Sequence, residues 1–342
     1  MKFTKVLMIA LLVALIAAGM VFAGGGRQGT SGTAAPAGKP SYTLKWAEVN
    51  PAQHLMTYSA EVFKAEIEKL SNGRIKIDIY PAMQLGDEKT TMQSLQMGSV
   101  DFFRGNAISL ADFNAKKMAL LALPFIFRDR PHLWAALNDP VGDELLRNVQ
   151  ESGSRMVAIG WFEEGARHFF FRNKEVKSLA DMRGLKIRVP QSELSMDIVR
   201  AYGASPTPIS YAELYSSLQT GVIDGAENPI VGYQSNSFYE VGKLLAYAGY
   251  TFTPSPVLVS EITWNKLDQE DRDLILKAMK TAQEWNKINS EKNENDALKI
   301  CTDNGVKVSY PDVTEFQRAS APVYEKYGKD YLDLIARIQA IK

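Results

Sequence analysis

The chain alternates strand patterns with helical patterns from Tyr42 onward, and this alternation limits the folds open to it. Apolar side chains occupy every second position over residues 42–46 and again over residues 75–79, as in half-buried strands. Between these two segments, residues 58–70 carry apolar side chains at helical spacing on one face. A strand, helix, strand unit favours a parallel sheet covered by helices, so the sequence predicts an α/β fold.

The alternation is repeated in the second half of the chain. Strand patterns cover residues 156–160, 168–171 and 185–189, and Asp268 can cap a long polar helix that runs to about Leu298. Roughly 300 residues exceed the size at which one core is comfortable, so we expect two lobes. The long helix is long enough to brace both lobes, although a solvated surface helix fits the same pattern.

Two short segments of the chain resemble each other. Residues 95–101 read LQMGSVD and residues 218–224 read LQTGVID. Each copy has a helix that ends at a glycine, which tolerates the left-handed cap, before a short strand. The echo indicates two related lobes, and chance similarity between two capped helices is the alternative.

The first residues have the features of an export signal over residues 1–23. Lys2 and Lys5 supply the positive start, an apolar run follows, and small residues precede a cleavage site near Ala23. An uncleaved anchor is disfavoured because the apolar run is shorter than the ~20 residues of a spanning helix. Residues 24–40 are rich in Gly, Ser, Thr, Ala and Pro and are predicted to form a flexible linker, so the mature protein is expected in the periplasm.

The charge balance and the few cysteines and histidines argue against several kinds of partner and cofactor. Removing the two signal lysines from 39 basic residues leaves 37 against 39 acidic residues, a balance that argues against nucleic acid as a partner. Cys301 is the only cysteine, so it cannot form an internal disulfide and is interpreted as a buried structural thiol. The three histidines are scattered, and we predict no metal and no cofactor.

The residues most suggestive of chemistry lie between Gly165 and Pro229. Arg167 and Arg188 fall on predicted strands, and an arginine fork matches a carboxylate in shape and charge. Arg188 directly precedes a proline at a strand end, where open α/β sheets hold ligands. From spacing alone, a carboxylate anchor in a cleft and a surface ion pair fit Arg188 equally well.

The aromatic run 168–171 follows Arg167 at once. Only one face of such a strand can pack in a core, so we predict that Phe169 lines the cleft. The alternative is a central strand that is covered on both faces. Asn228 precedes a proline and is therefore extended, with its amide free to give and accept hydrogen bonds. A simple turn is the alternative for Asn228.

No catalytic motif is found in the sequence, which lacks a nucleophile elbow, a zinc-protease helix, a Walker loop and a dinucleotide glycine pattern. Glu163 and Glu164 are adjacent and point in different directions, so they make a poor acid and base pair. We therefore predict that the protein is not an enzyme. The alternatives are a periplasmic sugar-acid enzyme with Glu48 or Glu227 as its base, and a ligand-binding sensor module.

These features together resemble the extracytoplasmic solute-binding proteins of TRAP transporters, the DctP-type periplasmic receptors, which feed organic acids to a cation-driven membrane permease. The resemblance covers essentially the whole mature chain. Its motifs are SNGRI at 71–75, YP at 80–81, QLGD at 84–87, ALPF at 122–125, GLKIRVP at 184–190, GASPTP at 203–208 and LQTGVIDGAENP at 218–229.

The resemblance implies a two-lobed periplasmic binding protein fold of the α/β class, with hinge strands and a long helix spanning both lobes. It assigns residues 41–164 plus about 253–290 to lobe I, and residues 165–252 plus about 291–342 to lobe II. In that family, the arginine of the Arg-Val-Pro strand makes the principal contact with the ligand carboxylate, and this position falls on Arg188. The same carry-over gives Arg167, Asn228 and, as an aromatic covering the ligand, Tyr211.

Contacts from lobe I vary with substrate in the family, so they are expected from position, where strand ends face the cleft. The candidates are Glu48, Asn50, His54, Glu88, Arg104 and Asn106. Arg104 departs from some relatives that carry no charge there, and it fits either a second acidic group of the ligand or a pair with Glu48 or Glu88.

The resemblance further implies a monomeric receptor that delivers a small organic acid to TRAP permease subunits. The supply of carboxylate, amide and imidazole groups suits a hydroxylated acid such as a uronate or aldonate better than a plain C4 dicarboxylate.

Overall fold

The computed structural model describes residues 39–342. The predicted export signal, residues 1–23, and all but the last two residues of the predicted linker lie outside the described residues. Over residues 39–342, no helix combines the length and the apolar character that crossing a membrane requires. Residues 41–342 form one unit.

Strands and helices alternate along that unit as the sequence predicts. The strands are β1 (Tyr42–Ala47), β2 (Ile75–Tyr80), β3 (Phe102–Arg104), β4 (Met156–Phe162), β5 (Ala166–Phe171), β6 (Lys186–Val189), β7 (Ser205–Pro208), β8 (Gly225–Pro229), β9 (Leu244–Phe252), β10 (Ser255–Ser260) and β11 (Lys307–Ser309). The helices are α1 (Leu55–Leu70), α2 (Glu88–Met97), α3 (Ala107–Leu110), α4 (Arg130–Leu137), α5 (Pro140–Glu151), α6 (Glu193–Ala201), α7 (Leu214–Thr220), α8 (Ile230–Ser235), α9 (Phe238–Val241), α10 (Glu261–Lys266), α11 (Gln269–Asp303), α12 (Val313–Ala319), α13 (Ala321–Gly328) and α14 (Leu332–Ala340).

The strands form two sheets, which we call the first sheet and the second sheet. The first sheet has the order β2-β1-β3-β10-β4, with β1 parallel to β2 and β3 and with β10 antiparallel to both of its neighbours. The second sheet has the order β11-β9-β5-β8-β6-β7, with β6 parallel to β7 and β8 and with β5 antiparallel between β8 and β9. Two sheets covered by helices give the two-lobed α/β fold that the sequence predicts.

The chain passes between the two sheets at two neighbouring segments. The first crossover, residues 162–166, joins β4 to β5, and the second crossover, residues 252–255, joins β9 to β10. The two crossovers lie side by side, because Phe162 pairs with Ser255 and Ala166 pairs with Phe252.

The long helix α11 is a third connection between the sheets. Its N-cap is Asp268, whose side chain accepts a hydrogen bond from the backbone N–H of Asp271, and the helix runs for 35 residues, somewhat beyond the predicted end near Leu298. It packs on α1 and β4 beside the first sheet and on α8 beside the second. Cys301 lies on this helix and is fully buried, as the sequence indicates.

The internal echo corresponds to two copies of one local structure. Both helices of the echo end at a glycine with a left-handed backbone. The carboxylate of Asp101 then accepts from the backbone N–H of Lys45 at 2.8 Å, and the carboxylate of Asp224 accepts from that of Lys186 at 2.8 Å. Each aspartate therefore ties its strand to the parallel strand that leads to the cleft.

Candidate functional site

A cavity of about 440 Å³ opens beyond the carboxyl ends of β1, β3, β6 and β8, so both sheets contribute to its walls. This is where open α/β sheets hold ligands. Eight of the predicted site residues line it: Asn50, Glu88, Arg104, Asn106, Arg167, Arg188, Tyr211 and Asn228. The volume lies within the range that small-molecule sites occupy.

Arg188 is the arginine in this cavity that lacks an acidic partner. Its side chain leaves β6 and is 3% exposed, and its Nε donates a hydrogen bond to the carbonyl oxygen of Ile209 at 2.8 Å. Over residues 39–342, the two terminal nitrogens of Arg188 donate no hydrogen bond, and no carboxylate lies within ion-pair distance of them. Burial lowers the pKa of Arg188 to about 10, and the more distant charge of Glu227 offsets only part of that effect.

Arg167 also faces the cavity, but it has a partner. Its Nε and Nη2 donate to the two carboxylate oxygens of Glu227, the second at 3.1 Å. Tyr250 donates to the same carboxylate at 2.9 Å. Burial opposes the charge of Arg167, but Glu227 outweighs it, so the pKa of Arg167 is raised. Because Glu227 neutralises its charge, Arg167 can donate hydrogen bonds to a ligand but does not require a ligand anion.

Arg104 pairs with Glu48, which decides between the partners that the sequence left open. Its Nη2 donates to Glu48 at 2.6 Å, and the backbone N–H of Asn50 donates to the same carboxylate oxygen at 3.0 Å. Burial opposes the charge of Arg104, but Glu48 and Glu164 outweigh it and raise its pKa. Arg104 lines the cavity, while Glu48 lies behind it.

Tyr211 covers Arg188 and connects it to Asn228. The guanidinium carbon of Arg188 lies 5.6 Å from the centre of the Tyr211 ring, a cation–π geometry. The Tyr211 hydroxyl accepts from the side-chain amides of Asn228 at 2.9 Å and Asn236 at 3.0 Å. Because both of these bonds use its oxygen as acceptor, its own hydrogen is free to be donated to a ligand.

Glu88 supplies a carboxylate to the wall from the first sheet. The backbone N–H of Asn106 donates to it at 2.9 Å, and burial raises the pKa of Glu88 although the charge of Arg104 lowers it. The side chain of Asn106 accepts from the backbone N–H of Ile108 at 3.2 Å, so it serves as the cap of α3. The amide of Asn106 is thus partly committed to the fold.

Three predicted residues lie outside the cavity lining. Phe169 is fully buried and stacks on Tyr250 with ring centres 4.8 Å apart, because helices cover both faces of β5; it is a core residue, not a cleft aromatic. His54 is fully buried and caps α1, its Nδ1 accepting from the backbone N–H of Met56 at 3.0 Å. Glu48, as described above, supports Arg104 from behind.

Sequence reasoning missed several residues of the wall. The largest omission is Glu164, which was set aside because its neighbour points the other way. The signal that could have found Glu164 is that adjacent side chains point in different directions. A pair of neighbouring glutamates beside a cleft therefore directs one of the two towards it. The other residues missed are Val49, Asp87, Lys89, Gln93, Gln96, Ser109, Asp112, Phe113, Asn114, Pro190, Gln191, Ile209 and Ser210.

Glu48 and Glu227, the two bases that an enzyme reading would use, are both occupied by arginines. Among residues 39–342, this cavity combines walls from two sheets with a buried arginine that has no acidic partner, an arrangement that suits an anionic solute. The family described as bacterial extracellular solute-binding protein, family 7, matches residues 46–330. The chain belongs to this family, also called DctP, whose members are periplasmic binding proteins of TRAP transporters, not enzymes, and work with TRAP permeases.

Similar proteins include both curated sequences and solved structures. The sialic acid-binding periplasmic protein SiaP of Vibrio cholerae is 30% identical over 80% of this chain and 84% of its own. A TRAP periplasmic solute-binding protein from Pseudomonas putida F1, solved with D-glucuronate, is 31% identical, with a TM-score of 0.86 over 88% of this chain and 98% of its own. One from Sulfurospirillum deleyianum, solved with succinate, is 28% identical, with a TM-score of 0.83 over 89% of this chain and 100% of its own.

Proposed function

We propose that the protein is a periplasmic receptor that captures a small hydroxylated organic acid, such as a uronate or aldonate, and delivers it to a TRAP membrane permease. The observation that carries the proposal is Arg188, a guanidinium 3% exposed whose terminal nitrogens have no partner among residues 39–342. A buried charge without a partner is costly, and a ligand carboxylate would remove that cost by binding the fork with two hydrogen bonds.

The polar groups around Arg188 suit a hydroxylated ligand. Tyr211 has a hydrogen to donate, Asn228 presents an amide, and Glu88 presents a carboxylate from the first sheet. Such mixed donors and acceptors match a chain or ring of hydroxyl groups attached to one carboxylate. Solved relatives hold D-glucuronate, galacturonate or D-erythronate, and one holds succinate, which supports this class of ligand without identifying it.

Binding is coupled to motion of the two lobes in this proposal. We take residues 41–164 with about 253–290 as one lobe and residues 165–252 with about 291–342 as the other, with the two crossovers as the hinge. The last helix, α14, departs from this division, because it packs on α5 of the first lobe. The acid first meets Arg188 and Arg167, and contacts from the first sheet then favour the closed form. A ligand drives closure only by binding the closed state better, which a cavity with two walls provides.

Delivery requires export and a permease. We infer that the chain is cleaved near Ala23, acts in the periplasm as a monomer, and presents its closed form to TRAP permease subunits. Mass spectrometry of small molecules retained by the purified protein identifies the acid directly.

Titration calorimetry of Arg188→Ala tests the proposal. We expect wild-type protein to bind D-glucuronate or D-galacturonate and the variant to show no measurable binding, with an unchanged circular dichroism spectrum. Arg147→Ala is the matched control, because Arg147 is exposed on α5 and lies outside the cavity lining. Near-normal binding by Arg188→Ala would refute the proposal.

A further inference from the structure

Glu164 is a buried carboxylate that the fold leaves without a hydrogen bond. It lies in the first crossover, is 6% exposed and lines the cavity. Among residues 39–342, no side chain or backbone group donates a hydrogen bond to its oxygens; the contact it makes is an ion-pair approach to His54. The Glu164 oxygens are not among the sealed polar atoms of the described residues, so they are open to the cavity. A ligand can therefore reach acceptor sites that the described residues leave unused.

The neighbouring glutamate shows what a satisfied carboxylate looks like at the same place. Glu163 accepts from the Nε of Arg130 at 2.7 Å and from the backbone N–H of Gly165 at 2.6 Å. Along the crossover, Glu163 points towards Arg130 and Glu164 towards the cavity. One glutamate therefore supports the hinge, and the other faces the ligand.

His54 lies directly behind Glu164. Its Nδ1 accepts the backbone N–H of Met56, so in the neutral ring the hydrogen is on Nε2, which is 3.3 Å from the Glu164 carboxylate. Burial lowers the pKa of His54 to about 3, which keeps the ring neutral in the periplasmic pH range. Nε2 makes no hydrogen bond with the described residues, so it lies close to Glu164 without using an acceptor site of that carboxylate.

We infer that Glu164 is the specificity-determining residue of the cavity: it accepts hydrogen bonds from the hydroxyl groups of the bound acid, and His54 positions it. This inference rests on the proposed function. A carboxylate has acceptor sites only, so it rewards a ligand hydroxyl and repels a second ligand carboxylate. Glu164 therefore selects hydroxylated monoacids against C4 dicarboxylates.

The test is the ratio of the dissociation constants for D-glucuronate and succinate, measured by titration calorimetry. Wild-type protein is expected to prefer D-glucuronate. Glu164→Gln should weaken D-glucuronate by about tenfold or more, the effect of losing hydrogen bonds to a charged acceptor. The same variant should bind succinate more tightly, because the repulsion is gone.

Glu193→Gln is the matched control for net charge. The Glu193 side chain is 76% exposed and is not part of the cavity lining, so its neutralisation should leave the ratio unchanged. An unchanged ratio in Glu164→Gln, equal losses for both acids, or a wild type that prefers succinate would each overturn the inference.

His54→Asn tests positioning separately from folding. Asparagine is a good N-cap, so α1 keeps its cap, but its amide is too short to replace Nε2 beside Glu164. We expect a folded protein with a somewhat lower thermal midpoint, because the smaller side chain leaves a gap at a fully buried position, and a smaller shift of the same ratio in the same direction. If the ratio of the two dissociation constants in the folded variant equals that of the wild type, His54 has no positioning role.

A measurement without any ligand is available in nitrogen-15 NMR of the histidine rings, with His54 assigned from its absence in His54→Asn. The expected result is a neutral ring with its hydrogen on Nε2 that does not titrate between about pH 5 and 8. Hydrogen on Nδ1 would overturn the positioning role. The two hypotheses fail in different ways. If the proposed function is wrong, Arg188→Ala binds normally. If only the role of Glu164 is wrong, both acids still bind through Arg188 and the ratio in Glu164→Gln equals that of the wild type.

Discussion

Gly232 lies directly behind the side-chain amide of Asn228, and a Cβ atom at position 232 would come within 2.8 Å of the Asn228 Oδ1. Gly232 lies in α8 and has a helical backbone, so a glycine matters here because it has no side chain and leaves space for Asn228. That space lets Asn228 donate to the Tyr211 hydroxyl at 2.9 Å. The glycine thereby sets where one polar wall of the cavity points.

Gly232→Ala should lower ligand affinity while leaving stability close to wild type. The added methyl group displaces the Asn228 amide, and the cost to folding is small because a side-chain end can move and alanine favours a helix by about 1 kcal/mol over glycine. Calorimetry and thermal unfolding check both parts. The double variant with Asn228→Ala should bind no worse than Asn228→Ala alone, because the displaced group is then absent. Additive losses would contradict this account.

Arg188→Met should stabilise the ligand-free protein and remove binding. The folded-state pKa of about 10 lies below the ordinary 12.5, so the charged form of Arg188 destabilises the fold at every pH below about 10, and this penalty is relieved only as pH rises from 10 towards 12.5. Methionine removes the penalty at neutral pH, and the lost donor to the Ile209 carbonyl offsets part of the gain. We expect about 1–2 kcal/mol, seen as a rise of several degrees in the thermal midpoint. A lower midpoint would contradict the assignment of Arg188 as an uncompensated charge.

Glu48→Gln should destabilise the protein by about 3 kcal/mol, because it leaves the buried Arg104 without its partner. Urea unfolding measures the loss, and the double variant with Arg104→Met should recover most of it. Asp296→Asn is the control, since the Lys292–Asp296 pair is exposed and is worth no more than about 0.5 kcal/mol. Equal effects of the two single changes would show that burial does not matter at Glu48.

Gly165→Ala should cost more than Gly203→Ala. Both glycines have left-handed backbones, with φ of +97° and +79°, so both changes carry a strain of about 1–2 kcal/mol. At Gly203 a Cβ atom meets nothing within 4 Å, whereas at Gly165 it would lie 2.7 Å from the carboxylate of Glu294. Because Arg130 holds Glu294, that carboxylate cannot yield freely. Urea unfolding of both variants isolates the contact, and equal losses would show that Glu294 moves aside.

Local pattern predicts the strand face and the strand end at which Arg188 lies, but it left a cleft position and a surface ion pair equally open, and only the family resemblance favoured the cleft. Side-chain alternation places it opposite the buried face of its strand, and Pro190 marks the strand end. The individual strands and the long helix from Asp268 were equally accessible, since each depends on periodicity and capping within a short segment.

The partners of the other arginines were not accessible in the same way. Arg167 meets Glu227 because β5 lies antiparallel to β8, with Phe169 opposite Glu227 in the register. No local pattern reports which strands become neighbours. Phe169 was misplaced for the same reason: alternation shows that a strand has two faces, but only the packed structure shows that both are covered.

The 35-residue helix α11 measures roughly 50 Å at 1.5 Å per residue and is anchored beside both sheets. The two sheets cannot part around the crossovers without flexing or sliding on this rod. Any separation of the sheets must therefore bend α11 or slide it against one of its neighbours, so this helix limits how far the cleft can widen.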